Sequence, residues 1–212
     1  ILYALLELME LFGQDFWIYF WVVISLFTLF MNMFYTLLIL PLFNKLTPLE
    51  DGELKEAIEA YSKKIDFPLD NIYVIDGLKR SAKSNAFFSG IGKKKKIVLY
   101  DTLIENHSKE ELIAVLAHEV GHFKKKHIIT GYLLSILQTG FTLYIMSLII
   151  FSPAMSEALG GSKFAVHLNL LAFGILYSPI SHFVSVFMNI LSRKNEYEAD
   201  AYAKETYSGK YL

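Results

Sequence analysis

Cysteine is absent from the 212 residues. That removes disulfides, thiolate nucleophiles and Cys-ligated zinc, so any metal site has to be built from His, Asp and Glu. It leaves the redox compartment open. Charge is also scarce: 19% of the residues are charged against 54% hydrophobic, and the formal net charge is −1. Without a basic excess, no nucleic-acid partner is expected. A starting methionine is lacking too. Ile1 already lies within an apolar helical pattern, and the tail from Tyr207 to Leu212 stops with no closing element. A piece of a longer polypeptide is expected. A signal peptide is not, because the apolar run is too long and no basic segment precedes it.

The place where charge is missing says most. Phe16 to Leu40 holds 25 residues without one charge, more than the ~20 needed to cross the hydrocarbon core as a helix. Pro41 is expected to end or bend it. Gly131 to Phe151 and Ala165 to Leu191 are likewise uncharged, although the latter carries His167, Pro179 and His182. Three such stretches in so short a chain read as membrane spans rather than buried core helices. The two histidines read as neutral groups hydrogen-bonded inside the bundle.

Between the spans, Phe43 to Ile129 is polar and reads as a small α/β domain. Glu53 to Lys64 is an amphipathic helix. Ile72 to Ile75, Asn85 to Ser89 and Ile97 to Tyr100 are short strands, punctuated by Gly77, Gly90 and Gly92. Ser108 is a helix N-cap followed by Glu110 and Glu111. The expected organisation is a helix and span over 1–43, a catalytic domain over 44–130, a two-span hairpin over 131–191 and a further helix over 192–212. Two spans return the chain to its starting side. Lys93 to Lys96, Lys124 to Lys126, Arg193 and Lys194 all lie on that side, against Lys163 alone in the opposite turn, which marks it as cytoplasmic. The Lys93 to Lys96 run reads as a solvated hairpin tip.

Ala117-His118-Glu119-Val120-Gly121-His122 carries the chemistry. Positions i and i+4 share one helical face, so both imidazoles reach one Zn2+ ion. Glu119 projects beside the metal and is placed to act as general base toward water. His127, nine positions after His118, falls on the opposite face at about 100° per residue and is not counted as a ligand. Gly121 either admits another backbone or a substrate, or is merely tolerated. The third ligand is sought in Asn195-Glu196-Tyr197-Glu198-Ala199-Asp200. Glu196 and Asp200 are again i and i+4; Glu196 reads as the ligand and Asp200 as a carboxylate orienting a ligating histidine. Glu198, about 200° away, is expected to face elsewhere. The fold class is an α-helical integral membrane protein with a small α/β zinc-metalloprotease (gluzincin-like) catalytic domain.

Beyond the zinc helix, the chain resembles the type 1 CAAX prenyl proteases. The likeness rests on Phe43-Asn44-Lys45-Leu46-Thr47-Pro48-Leu49, Ile65-Asp66-Phe67-Pro68-Leu69, Ser84-Asn85-Ala86-Phe87-Phe88 with Gly90, Ile97 through Leu103, Leu116 through His122, and Ser192-Arg193 through Glu196 to Ala201. These segments occur in the family's order. The resemblance implies a membrane zinc endopeptidase that removes the C-terminal tripeptide of prenylated proteins, with further spans enclosing a water-filled chamber. It also implies a substrate lying as an added strand along the active-site edge, with Asn85 holding the peptide beside Ala86 and Phe87. Ala82-Lys83 stands where eukaryotic members have Ser-His, and the family's later substrate-stabilising His or basic residue lies past the end of the sequence. The short connections point to a compact, prokaryotic-like member. The implied location is the endoplasmic reticulum or inner nuclear membrane for a eukaryotic protein and the cytoplasmic membrane for a prokaryotic one. A quality-control zinc protease of the heat-shock type, cutting misfolded membrane proteins, is the alternative enzyme reading. A non-catalytic membrane zinc scaffold is the alternative class.

Overall fold

The structure is a computed structural model that describes residues 2–34, 40–76, 86–89 and 95–211. The elements follow in order: α1 (Leu2–Phe12), a short 3-10 turn, α2 (Phe16–Phe34), α3 (Leu40–Phe43), β1 (Leu46–Pro48), α4 (Glu53–Lys64), β2 (Leu69–Ile75), β3 (Ala86–Ser89), β4 (Lys95–Tyr100), α5 (Asp101–Asn106), α6 (Lys109–Lys124), α7 (His127–Ile150), α8 (Pro153–Ala158) and α9 (Val166–Thr206). The chain packs as two compact units, Ile1–Leu29 with Ile129–Ser192, and Phe30–Ile128 with Arg193–Leu212.

The first unit is helical. Among the described residues, the helices long and apolar enough to cross a membrane are Gly13–Phe34, His127–Ile150 and Val166–Thr206. Met9, Phe16 and Phe20 bury themselves against Leu143, Met146 and Ile150. Trp21 lies directly on Gly140, where an added Cβ would meet the indole at 2.9 Å, and its Nε1–H donates to the Ile136 carbonyl at 2.8 Å. The corner after α7 is organised by Asn169, fully buried. Its amide donates to the Ile150 and Ser152 carbonyls at 2.8 and 2.9 Å and accepts from Ser156 Oγ at 2.8 Å. The Ile150 carbonyl ends α7 and has no intrahelical donor, so the Asn169 amide supplies one, while the Ser152 carbonyl also accepts from Met155 N–H at 3.2 Å. Outward faces stay apolar, with Val23, Phe27, Leu137, Ile175 and Phe183 exposed, as suits hydrocarbon rather than water. His167 and His182 are exposed, not held inside a bundle; the latter donates from Nδ1 to the Ser178 carbonyl of its own helix at 3.0 Å.

The second unit is built on a four-stranded sheet in the order β1-β2-β4-β3, parallel only between β2 and β4. Strand β4 is buried on both faces, which is why Ile97, Val98 and Leu99 read as a continuous apolar run. Ile97 and Leu99 face Ile58 of α4 and Leu112 and Leu116 of α6. Val98 turns to Leu40 and Ile75 on the other side. Strand β4 begins at Lys95, so Lys95 and Lys96 are strand residues rather than a solvated tip. Their ammonium groups lie over Phe123 and Tyr73, at 4.8 and 5.3 Å from the ring centres, because long basic side chains lay their stems on apolar surface. Lys93, Lys94 and the three punctuating glycines lie outside the described residues, as do 35–39 before Pro41. No break separates the apolar stretch of α9 from Glu196: one helix of 41 residues runs through both, with Pro179 inside it.

Candidate active site

Helix α6 starts where Ser108 and Glu111 cap each other: Ser108 N–H donates to Glu111 Oε2 at 2.7 Å, and Glu111 N–H to Ser108 Oγ at 3.4 Å. The pairing satisfies two donors the first turn would otherwise orphan. Leu112, Leu116 and Val120 then bury one face. Next to that face runs a seam of small residues. Ala117 and Gly121 of α6 sit four apart, as do Ala199 and Ala203 of α9, and all four are buried. An added Cβ on Gly121 would lie 2.9 Å from Ala199 Cα and 3.0 Å from its carbonyl oxygen. Gly121 is therefore there for a backbone, which resolves the choice its position in the sequence left open. Tyr61 of α4 locks the far end, its hydroxyl 2.8 Å from Thr206 Oγ1.

Because these helices touch through hydrogen and methyl side chains, the residues beside the seam meet across it. His118 Nε2 and His122 Nε2 are 3.1 Å apart, and Glu196 Oε2 lies 3.3 and 3.6 Å from them. Zinc bonded at 2.0–2.2 Å to nitrogen and oxygen in tetrahedral array would hold its ligand atoms about 3.3–3.5 Å apart. The trio fits that ion. Among the described residues it is the group able to hold a metal. His118 Nδ1–H donates to Asp200 Oδ1 at 2.7 Å, which leaves the Nε2 lone pair for the metal. Burial also holds the His122 imidazole below its usual pKa, favouring the neutral form a metal needs.

Glu119 stands outside the trio. Burial raises its pKa above the usual carboxylate range, and the Glu196 carboxylate pushes the same way against the His118 imidazole. A carboxylate shifted toward neutrality accepts a proton more readily at working pH. Ala86 and Phe87 pair with Leu99 and Val98 in β3, the terminal strand of the sheet order, which neighbours α6. Asn85 lies outside the described residues.

His127 stays outside the trio, as expected, but the expectation that it lies on the opposite face is corrected. Its Nδ1 lies 3.0 Å from His122 Nδ1, and its Nε2 lies 3.1 Å from Glu198 Oε2. Helical angles do not carry to it because Lys126 has φ +60° and separates α6 from α7. Glu198 does face away from the trio, and meets His127. Spacing placed each residue alone and did not reveal that they meet behind His122.

Residues 48–212 match the family model described as peptidase family M48, and residues 1–45 match one described as the CAAX prenyl protease N-terminal segment with five membrane helices. The chain is 38% identical to CAAX prenyl protease 1 of Saccharomyces cerevisiae, over 97% of its own length and 49% of that protein's. To the Dictyostelium discoideum homologue it is 43% identical over 91% and 46%, and to the human homologue 33% identical over 98% and 52%. The crystal structure of S. mikatae Ste24p superposes with a TM-score of 0.83 at 37% identity, covering 96% of this chain and 51% of that one. The chain thus spans about half the length of the relatives it matches. Sequence and backbone agree along nearly all of it, from the first apolar helix to the Glu196 and Asp200 pair, and the chain belongs to peptidase family M48.

Proposed function

We propose that the protein containing this segment is a zinc-dependent membrane endopeptidase that hydrolyses peptide bonds and removes the C-terminal tripeptide of prenylated proteins. The observation that carries the hydrolytic reading is the trio at 3.1, 3.3 and 3.6 Å, which fits a tetrahedral ion with Glu119 beside it and free of ligand duty. The relatives named CAAX prenyl protease 1 support the substrate class.

His118, His122 and Glu196 hold the ion, and Asp200 fixes the His118 ring. Bound there, zinc supplies Lewis acidity toward a peptide carbonyl and toward water. The Glu119 carboxylate accepts the proton released as water attacks the carbonyl carbon, and returns it to the departing amine nitrogen as the C–N bond breaks. Ala86 and Phe87, with Asn85 preceding them, offer the β3 edge to the peptide main chain, since an added strand is held by backbone hydrogen bonds whatever its sequence. The basic residues around Lys124 to Lys126 and Arg193–Lys194 support a site on the cytoplasmic side.

The test uses Glu119→Gln in the full-length protein. Zinc content, measured by elemental analysis, is expected to stay at the wild-type level, while turnover of a farnesylated peptide falls about 10²–10⁴-fold, the usual share of a general base. Retained turnover would remove Glu119 from the mechanism. Equal cleavage of farnesylated and unprenylated peptides by the wild type would favour a quality-control protease over a prenyl-protein protease.

A further inference from the structure

The two ligating histidines are backed differently. His118 leans directly on a carboxylate, with Nδ1 at 2.7 Å from Asp200 Oδ1. Among the described residues, the partner of His122 Nδ1 is not a carboxylate but His127, at 3.0 Å. The far nitrogen of His127 lies 3.1 Å from Glu198 Oε2, whose other oxygen is 3.7 Å from Lys194 Nζ. The His127 side chain is 8% exposed, so it has little recourse to water. This line of four groups exists because the chain breaks helix at Lys126 and turns the first side chain of α7 back over the last turn of α6.

Hydrogen placement follows from the two ends. A carboxylate only accepts, so the nitrogen of His127 facing Glu198 must carry a hydrogen. A neutral His127 then has a bare Nδ1, which can only accept from His122 Nδ1–H. That tautomer of His122 leaves its Nε2 lone pair bare, and Nε2 is the atom 3.1 Å from His118 Nε2 and 3.6 Å from Glu196 Oε2. The opposite neutral tautomer sets a bare imidazole nitrogen against a carboxylate, and any arrangement in which His127 donates to His122 Nδ1 moves the His122 hydrogen to Nε2 and blocks it from the metal. Only one direction satisfies every member and leaves His122 Nε2 bare for the metal. A histidine that was merely buried and satisfied by Glu198 would have no need to meet a second imidazole nitrogen to nitrogen.

We propose that His127, anchored by Glu198, is a positioning residue for the metal: it holds His122 in the Nδ1–H tautomer and aims its Nε2 at the ion, as Asp200 does for His118. This rests on the zinc reading above. Removing such an outer partner typically weakens metal binding 10–100-fold.

The experiment uses the full-length protein in detergent, with zinc affinity measured by chelator competition and the ligand field read from the visible absorption of the cobalt-substituted form. His127→Leu is expected to raise the zinc dissociation constant by about 10–100-fold and to shift the cobalt bands. His127→Asn, whose amide oxygen takes the place of Nδ1, should recover most of the affinity. Glu198→Leu, at a half-buried position of α9, should weaken zinc in the same direction. The double His127→Leu/Glu198→Leu variant should be no worse than His127→Leu alone, because the two act in series. Wild-type affinity and an unchanged cobalt spectrum in His127→Leu, or full additivity in the double variant, would overturn the proposal and leave the zinc site standing. A wild-type protein that takes up no zinc would instead overturn the site itself, and with it any role for His127.

Discussion

Gly121 shows how much one hydrogen atom can decide. In an isolated helix, replacing it by Ala would gain about 1 kcal/mol. Here the added methyl would stand 2.9 Å from the Ala199 Cα and 3.2 Å from Tyr202 Cβ, and a backbone atom cannot swing aside as a side-chain tip can. Gly121→Ala should therefore reverse the sign of the propensity effect. We expect a net loss of about 1–3 kcal/mol from overpacking, together with weaker zinc binding as α6 and α9 are forced apart and Glu196 recedes from the two imidazoles. Chelator competition and thermal unfolding check the two halves of that expectation. A variant more stable than the wild type, with zinc affinity intact, would show that the seam has slack.

Among elements, the corner between α7 and α9 depends on one polar side chain within apolar surroundings. Asn169→Leu brings an apolar side chain of similar size but leaves the Ile150 carbonyl without its donor, whereas the Ser152 carbonyl keeps Met155 N–H. A buried group so orphaned costs about 1–3 kcal/mol, so the hairpin should lose about that much, seen as a lower unfolding temperature in lipid or detergent. A neutral effect would mean that water reaches the corner. The elements were unevenly legible beforehand. Helix α4 could be bounded from its apolar spacing, and α6 from its cap and its two histidines. Asn169 could not be singled out, since one amide in an uncharged run looks like any small polar residue. The turn at Lys126 was hidden for a different reason: no glycine or proline marks it, so angles counted along α6 ran past its end and misplaced His127. The seam had left a trace in the Ala and Gly residues spaced four apart on each helix, but that pattern is common in helices and names no partner.

For the whole molecule, the fastening of the last turn of α9 is as telling as the candidate metal trio. Tyr61 and Thr206, separated by 145 positions, share a hydrogen bond, and Lys64 Nζ reaches the Thr206 carbonyl at 2.8 Å. Burial pushes the Tyr61 phenol up to about 12 from 10.0. A group whose folded pKa is raised lends its stability in full below the unfolded value and loses it as pH climbs through the folded one. The contribution of Tyr61 should thus be complete below pH 10 and vanish progressively toward 12. Tyr61→Phe, which has no proton to lose, should flatten the fall in stability over that window. An unchanged alkaline profile would mean that the phenol is open to solvent.

The distance along the chain between the two halves of the site has a consequence in time. His118 and Asp200 stand 82 positions apart, so a ribosome adding roughly 5–20 residues each second would need about 4–16 s to pass from one to the other. Both membrane-crossing stretches of the hairpin are made in that interval. On the proposed reading, the nascent chain holds two of the ligands and the base until Glu196 is added, so the site is completed only after both apolar stretches of the hairpin have been made.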